Sequence, residues 1–336
     1  MAFCMVNRDN VMGKGAKPML SRRVVVFAAI VLAVSFPVMA QGSRMGSGAA
    51  PAAPSQGMQG PMPGMTIEGV SGGLFVPSAY LANPGPQGAI CGMPTIGANY
   101  VSLGSQNLYM VGITDVLWRR IELGYAFNYL DIGTYNDYVH KLGGDLGRDD
   151  IMLHHFNLRG QLIEENSWGY TWMPAVTLGV SFKYNDGIRQ IDHDTGGFFS
   201  SLDYDKRDGW EATIHASKTF PTLVFGRPIT FTSGLRTSNA AHIGLYGFGD
   251  DRSLTYESSA TYMPTDKWAL SYEYRMKDDP YDNGAPVYGK EHSWYALEAT
   301  YLVNDRLTLS GIIGSYGNIG NTQADPAFGL QVKYEF

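Results

Sequence analysis

His215-Ala-Ser217 sets an imidazole and a hydroxyl two residues apart, so an extended strand would present both on one face. A base beside a nucleophile is the pairing that acyl transfer uses, provided a third group orients the imidazole. Ile191-Asp-His-Asp194 and Asp203-Tyr-Asp205 offer carboxylates to a divalent cation. Met58, Met62 and Met65 offer soft thioethers of the kind that bind copper. Gly244-Leu-Tyr-Gly-Phe-Gly249 has the glycine content of a phosphate-binding loop.

Each reading weakens once the surrounding chain is considered. The acidic groups lie in the longest polar stretch, where solvated carboxylates are ordinary. His154 and His155 are neighbours on a strand and face opposite ways, so they cannot share a metal. The methionines sit in a Gly/Pro/Ala linker, and the glycine-rich motif does not fall at a strand-to-helix turn. Cys91 has no nearby His or acid, and Cys4 precedes the mature chain. No catalytic residue, metal site or cofactor is therefore expected.

The elements that carry these residues are short alternating strands. In the last of them Phe328, Leu330, Val332, Tyr334 and Phe336 share one face, and Gly329, Gln331, Lys333 and Glu335 the other. An aromatic face opposite a polar one, closed by a terminal Phe, suits a strand between lipid and a polar lumen. Further strands are predicted near 96–103, 107–115, 118–131, 151–164, 172–185, 208–220, 227–237, 254–263, 267–276, 292–302 and 306–315. With the last, near 327–336, that makes about twelve, an even number, as a closed antiparallel barrel requires. The expected fold class is all-β, an up-and-down transmembrane β-barrel.

The connections sort by length. Asn166–Thr171, Pro221–Gly226, Pro264–Asp266 and Val303–Asp305 are short, while Ile132–Asp150, Asp186–Arg207, Ser238–Ser253 and Lys277–Glu291 are long and polar. A barrel places turns at one rim and loops at the other; a soluble sandwich has no reason to. Only the connection around Ser105-Gln106 is short on the long-loop side. Trp118, Trp168, Trp172 and Trp268 fall at the short-turn rim and Trp210 and Trp294 at the other, as two interfacial girdles would have them. Tyr334 and Phe336 read as the signal that the barrel-assembly machinery takes from the C-terminal strand.

At the other end, Arg22-Arg23, the apolar run Val24–Phe36 and Pro37-Val-Met-Ala40 make a secretory signal cleaved after Ala40. The run is too short for a spanning helix, which needs about 20 residues. Met19 begins a signal of normal proportions, which leaves open whether residues 1–18 are an over-called start. Residues 41–70 read as a disordered Gly/Pro/Met-rich leader and 71–336 as the barrel, lodged in a bacterial outer membrane.

Charged residues are only 17% of the chain, the net charge is −6, and no basic cluster exists to engage nucleic acid. An Arg or Lys facing mid-bilayer costs roughly 2–4 kcal/mol, so the charges on the strands must face the lumen. That inward set is Glu122, Glu211, Glu257, Glu273, Glu298 and Glu335 with Arg159, Lys183, Arg236, Lys267, Arg275 and Lys333, and His215 among them. Neither sign predominates, so strong ion selectivity is not expected. A salt-bridged ladder of these groups would leave a small channel or none.

The expected role is a narrow passive channel or substrate-specific pore for small solutes, with outer-membrane lipid and the assembly machinery as further partners. One alternative is a closed structural barrel that assists envelope or exopolysaccharide assembly. The other is a lipid hydrolase. His215 and Ser217 resemble the Ser–His–Asn site of the twelve-stranded outer-membrane phospholipases, where the pair faces lipid. Here Trp210, Ala212, Ile214 and Ala216 take the lipid side, which puts His215 and Ser217 inside.

From about Thr66 to Phe336 the chain resembles the family known as domain of unknown function 3034. The matching stretches are Ile67-Glu-Gly-Val-Ser-Gly-Gly-Leu74, Asn239–Arg252, Gly317-Asn-Ile319 and the terminal strand, with the Gly244–Arg252 portion the most specific. That resemblance implies an outer-membrane barrel and assigns no functional residue. Gly73-Leu-Phe-Val-Pro-Ser-Ala79 also resembles the opening of barrels tied to exopolysaccharide export, while the Pro/Gly stretch Asn83–Pro94 departs from the family pattern.

Overall fold

The computed structural model describes residues 64–141, 144–279, 291–320 and 322–336. The signal sequence, the leader up to residue 63 with Met58 and Met62, and positions 280–290 of the last long loop lie outside the described residues. Two short strands, β1 (Gly64–Met65) and β2 (Ser71–Gly72), pair with each other ahead of the barrel. The wall then runs through β3 (Thr95–Leu103), β4 (Gln106–Leu117), β5 (Ile121–Asp131), β6 (Asp150–Ile163), β7 (Ala175–Asp186) and β8 (Asp208–Val224). It continues through β9 (Arg227–Ala240), β10 (Phe248–Tyr262), β11 (Trp268–Arg275), β12 (Trp294–Leu302) and β13 (Leu307–Ser315). A small pair, β14 (Asn318–Ile319) and β15 (Thr322–Gln323), precedes the last strand, β16 (Ala327–Glu335).

Each wall strand pairs antiparallel with the next. β16 closes the ring on β3, from Phe328 opposite Ser102 to Glu335 opposite Thr95. The result is the closed twelve-stranded barrel that the alternation predicts. On β11, Ala269, Ser271, Glu273 and Arg275 are buried inside, while Trp268, Leu270 and Tyr272 are each at least 44% exposed on the outer surface. β16 repeats the pattern, with Phe328 and Leu330 exposed and Gln331 and Lys333 buried. Ionised groups are thus held within and apolar groups present a belt to the outside, the arrangement that a lipid surround favours.

The long-loop rim is not an open mouth. Helix α1 (Tyr135–Lys141) and helix α2 (Ile188–Asp194) fold across it, together with the loop Ala241–Gly247. Leu103, Leu130, Ile151, Ile188, Ile243, Tyr246 and Phe248 pack there into one apolar cluster. The stretch Ser238–Ser253, expected to be a loop, is largely strand. β9 and β10 pair as far as Ala240 opposite Phe248 across an irregularity, so the loop proper shrinks to 241–247 and turns inward.

Two expected placements are corrected. Trp294 does not join a girdle: it is 6% exposed and packs edge-on against Phe75 at 5.8 Å and Tyr316 at 5.6 Å. The reason is parity, because Trp294 shares a face of β12 with the inward Ala296, Glu298 and Thr300. Trp118, Trp168, Trp172, Trp210 and Trp268 are exposed near strand ends. Lys267 precedes β11 on the turn, where the strand alternation does not yet apply, and it is exposed rather than in the lumen proper. Glu335 is half-buried at the short-turn rim, 2.7 Å from Lys333 Nζ.

Candidate functional site: a lumen filled by its own chain

Residues 64–70, expected in the disordered leader, are buried inside the barrel, and the burial continues through Ala82. The segment Gly64–Ala82 is a plug. It is glycine-rich because its backbone must lie directly on the wall. A Cβ on Gly69, whose φ is +82°, would sit 2.5 Å from the Ala126 methyl, and one on Gly73 would sit 1.4 Å from a Glu273 oxygen. The plug folds on itself through Thr66 N–H to Val70 O, Ile67 N–H to Leu74 O and Ser78 N–H to Ser71 O. It then leaves the lumen through a rim crossing at 83–94. There Asn83 Nδ2 donates to Phe336 O and Phe336 N–H to Pro94 O.

A plug with so little ladder of its own must satisfy its backbone elsewhere, and the wall side chains do this. Asn99 Nδ2 and Gln331 Nε2 donate to Met65 O at 3.0 and 2.8 Å. Asn157 Nδ2 donates to Glu68 O at 2.7 Å. Glu273 accepts the Phe75 amide at 2.9 Å, Ser217 the Ala79 amide at 2.9 Å, and Glu122 the Ala82 amide at 2.7 Å. Gln161 and Thr177 donate to Ala79 O, Arg159 donates to Ser78 O, and Tyr80 OH donates to Glu165 at 2.8 Å.

The charged centre is Glu68. Its carboxylate meets Lys183 at 2.6 Å, Arg236 at 3.0 Å and Arg275 at 3.1 Å. Glu211 bonds Lys183 at 2.8 Å and also Arg236, and Glu257 meets Arg236 at 3.1 Å and the His215 imidazole at 2.6 Å. Arg159 pairs with Glu122 at 2.8 Å. Glu298 takes the Thr300 hydroxyl at 2.9 Å. Of the predicted lumen set, the structure therefore brings Glu122, Arg159, Lys183, Glu211, His215, Arg236, Glu257, Glu273 and Arg275 together around or against the plug. Glu298 and Lys333 are buried in the wall beyond it, and Lys267 and Glu335 stand at the rim. Sequence reasoning missed Glu68 itself. The available signal was a lone acid inside Ile67–Leu74, between glycines and apolar side chains.

At the long-loop end, Lys277 Nζ lies 2.6 Å from His242 Nδ1, and Glu291 contacts both residues. Burial and the adjacent Lys277 hold the His242 imidazole well below its ordinary pKa. At the short-turn end a cavity of about 620 Å³ lies beside the plug, bounded by Ser71, Tyr80, Asn83, Thr308 and Lys333.

The other candidate chemistries take structural roles. Ser217 is 1% exposed, inside the barrel, with its oxygen bonded to Ala79 N–H and 2.8 Å from Thr232 Oγ1, so no lipid ester on the outer surface can reach it. His155 points inward to Asn128 and His154 outward to Tyr125, as adjacent strand positions must. Asp192 accepts from Ser200, and Asp194 from Gly147 and Gln190. Met65 is packed between Gly97 and Met110.

A closed twelve-stranded barrel with an apolar outer belt and a charged interior is a membrane β-barrel of the outer-membrane class. The family model for "Protein of unknown function (DUF3034)" matches residues 63–333, and the chain belongs to that family. Its match begins one residue before the plug, so the inserted segment and the wall lie in one family unit. No curated protein matches the chain in sequence. Among solved structures it is similar to the KdgM porin (TM-score 0.45, 8% identity, 72% of this chain and 99% of that one). It is also similar to the NanC porin (TM-score 0.43, 10% identity, 72% and 98%). A third is the outer membrane protein Omp33 of Acinetobacter baumannii (TM-score 0.41, 8% identity, 74% and 99%).

Proposed function

We propose that the protein is a bacterial outer-membrane channel held shut by residues 64–82, which passes small solutes when that segment leaves the lumen. The carrying observation is what the plug replaces. Glu122, Asn157, Ser217, Glu273 and Gln331 spend hydrogen bonds on its backbone, and water could satisfy the same groups. A barrel meant to be permanently solid would be served as well by an apolar filling, because a buried ion network costs desolvation that hydrophobic packing does not. The cavity beside the plug gives the segment room to shift. In this reading the precursor is exported by a signal cleaved after Ala40, and the short-turn rim faces the periplasm.

Planar-bilayer recordings test it. The full chain is expected to stay closed, and a chain lacking residues 64–82 to give discrete conductance steps. A folded, inserted deletion protein without steps would end the channel reading. That result would favour the second reading, a closed barrel assisting envelope or exopolysaccharide assembly. The observation in favour of that reading is the apolar seal that Phe75 and Val76 share with Ile188, Ile243 and Tyr246 at the long-loop end.

A further inference from the structure

Arg236 and Arg275 are used from two sides. Toward the plug they hold the Glu68 carboxylate. Toward the long-loop end they floor a funnel of about 120 Å³, whose wall holds Ser238, Asn239, Arg252, Lys277 and Trp294. Arg275 and Lys277 stand over the Trp294 ring at 5.6 and 5.4 Å, which fixes their charges at that floor. Asp251 and Asp278 also line the funnel but are exposed, and Glu211 is committed to Lys183 and Arg236.

The charge count around Glu68 closes only with the plug in place. Lys183, Arg236 and Arg275 face Glu68, Glu211 and Glu257, three cations against three carboxylates. Withdrawing Glu68 leaves one positive charge without a paired carboxylate, and the mutual repulsion of Lys183, Arg236 and Arg275 then favours the entry of another anion. The plug can leave easily only if another anion takes its place. Planar guanidinium groups favour a planar, bidentate anion such as a carboxylate.

We propose that the funnel binds a small carboxylate-bearing solute, which takes Arg236 and Arg275 from Glu68 and thereby releases the plug. This rests on the plugged-channel reading and names its solute class and its trigger. The route is from the long-loop side, the ligand enters as the free anion, and no covalent step is involved.

The test is equilibrium dialysis of the full-length protein in detergent with radiolabelled glucuronate, and with glucose, which has a hydroxymethyl in place of the carboxylate. Wild type is expected to bind glucuronate and not glucose. Glu68→Ala removes the internal competitor and should bind glucuronate roughly tenfold tighter, and Arg275→Gln roughly tenfold weaker. Glu68→Gln, which keeps side-chain volume and removes only the charge, is run in parallel, and heat-modifiable migration on gels confirms each folded barrel. Equal binding of glucuronate and glucose, or no tightening in both Glu68 variants, would overturn the proposal. If the 64–82 deletion conducts while these binding results fail, only this inference falls. If binding behaves as expected and the deletion does not conduct, the site stands and the channel reading falls.

Discussion

Ser217 Oγ accepts the amide proton of Ala79 at 2.9 Å and lies 3.5 Å from Ser78 Oγ. A hydroxyl with the look of a nucleophile is an anchor for inserted chain. Ser78→Cys with Ser217→Cys, in a Cys91→Ser background, is therefore expected to form a disulfide on oxidation and pin the plug to β8. Oxidised protein should stay closed in planar bilayers when glucuronate is added, and reductant should restore the openings that glucuronate gives in the parent. Free thiols persisting after oxidation would mean that the two positions are not in contact.

Gly73 has no room for a side chain, since Glu273 occupies the space a Cβ would need. Gly73→Val should cost about 1–3 kcal/mol through overpacking and push the 74–76 turn off Glu273. A lower urea midpoint in vesicles and faster proteolysis within 64–82, with the barrel core intact, would be the signature. Unchanged proteolysis would show that the turn is not seated on Glu273.

Trp294 should behave unlike the other tryptophans. In brominated-lipid vesicles, a protein retaining only Trp268 should be strongly quenched and one retaining only Trp294 hardly at all, because the bromines stay outside the wall. Comparable quenching of both would place Trp294 on the lipid side and contradict its packing against Phe75.

His242 makes the long-loop seal sensitive to acid. Its folded-state pKa lies below the unfolded value of about 6.5. Below that pH the opened loop takes up a proton that the closed loop excludes. Stability contributed by the neutral imidazole is therefore complete at pH 7 and falls, by up to about 1.4 kcal/mol per pH unit, as pH drops from 6.5 toward the folded value. Hydrogen exchange at Ala241–Gly247 should accelerate over that window in wild type and become flat in His242→Gln. An equal acceleration in both would assign the effect to another group.

The barrel was legible because its signal is local. One residue in two points to lipid over a dozen segments, and the inward facing of Glu122 and Arg159 follows from that parity, while their pairing across β5 and β6 is set by register. Parity alone turns Trp294 inward, four residues before Glu298, against the usual preference of indole for the interface. The plug was not legible. Residues 64–82 have no helix or strand period, broken as they are by Gly64, Gly69, Gly72 and Gly73, and their burial comes from partners as far away as Glu273 and Gln331, 198 and 266 positions along the chain. Segment composition carries no trace of such distant contacts. Lys267 went astray for a simpler reason, being one residue short of the strand whose alternation was applied to it.

The seam between β16 and β3 has a further consequence. The strand that closes the cylinder, β16, pairs with β3, the strand that follows the inserted segment and its rim crossing. Asn99 on β3 and Gln331 on β16 both donate to Met65 O, so the inserted segment bridges that closing seam from within. A plug bonded to both sides of the seam is fully held only when the wall has closed.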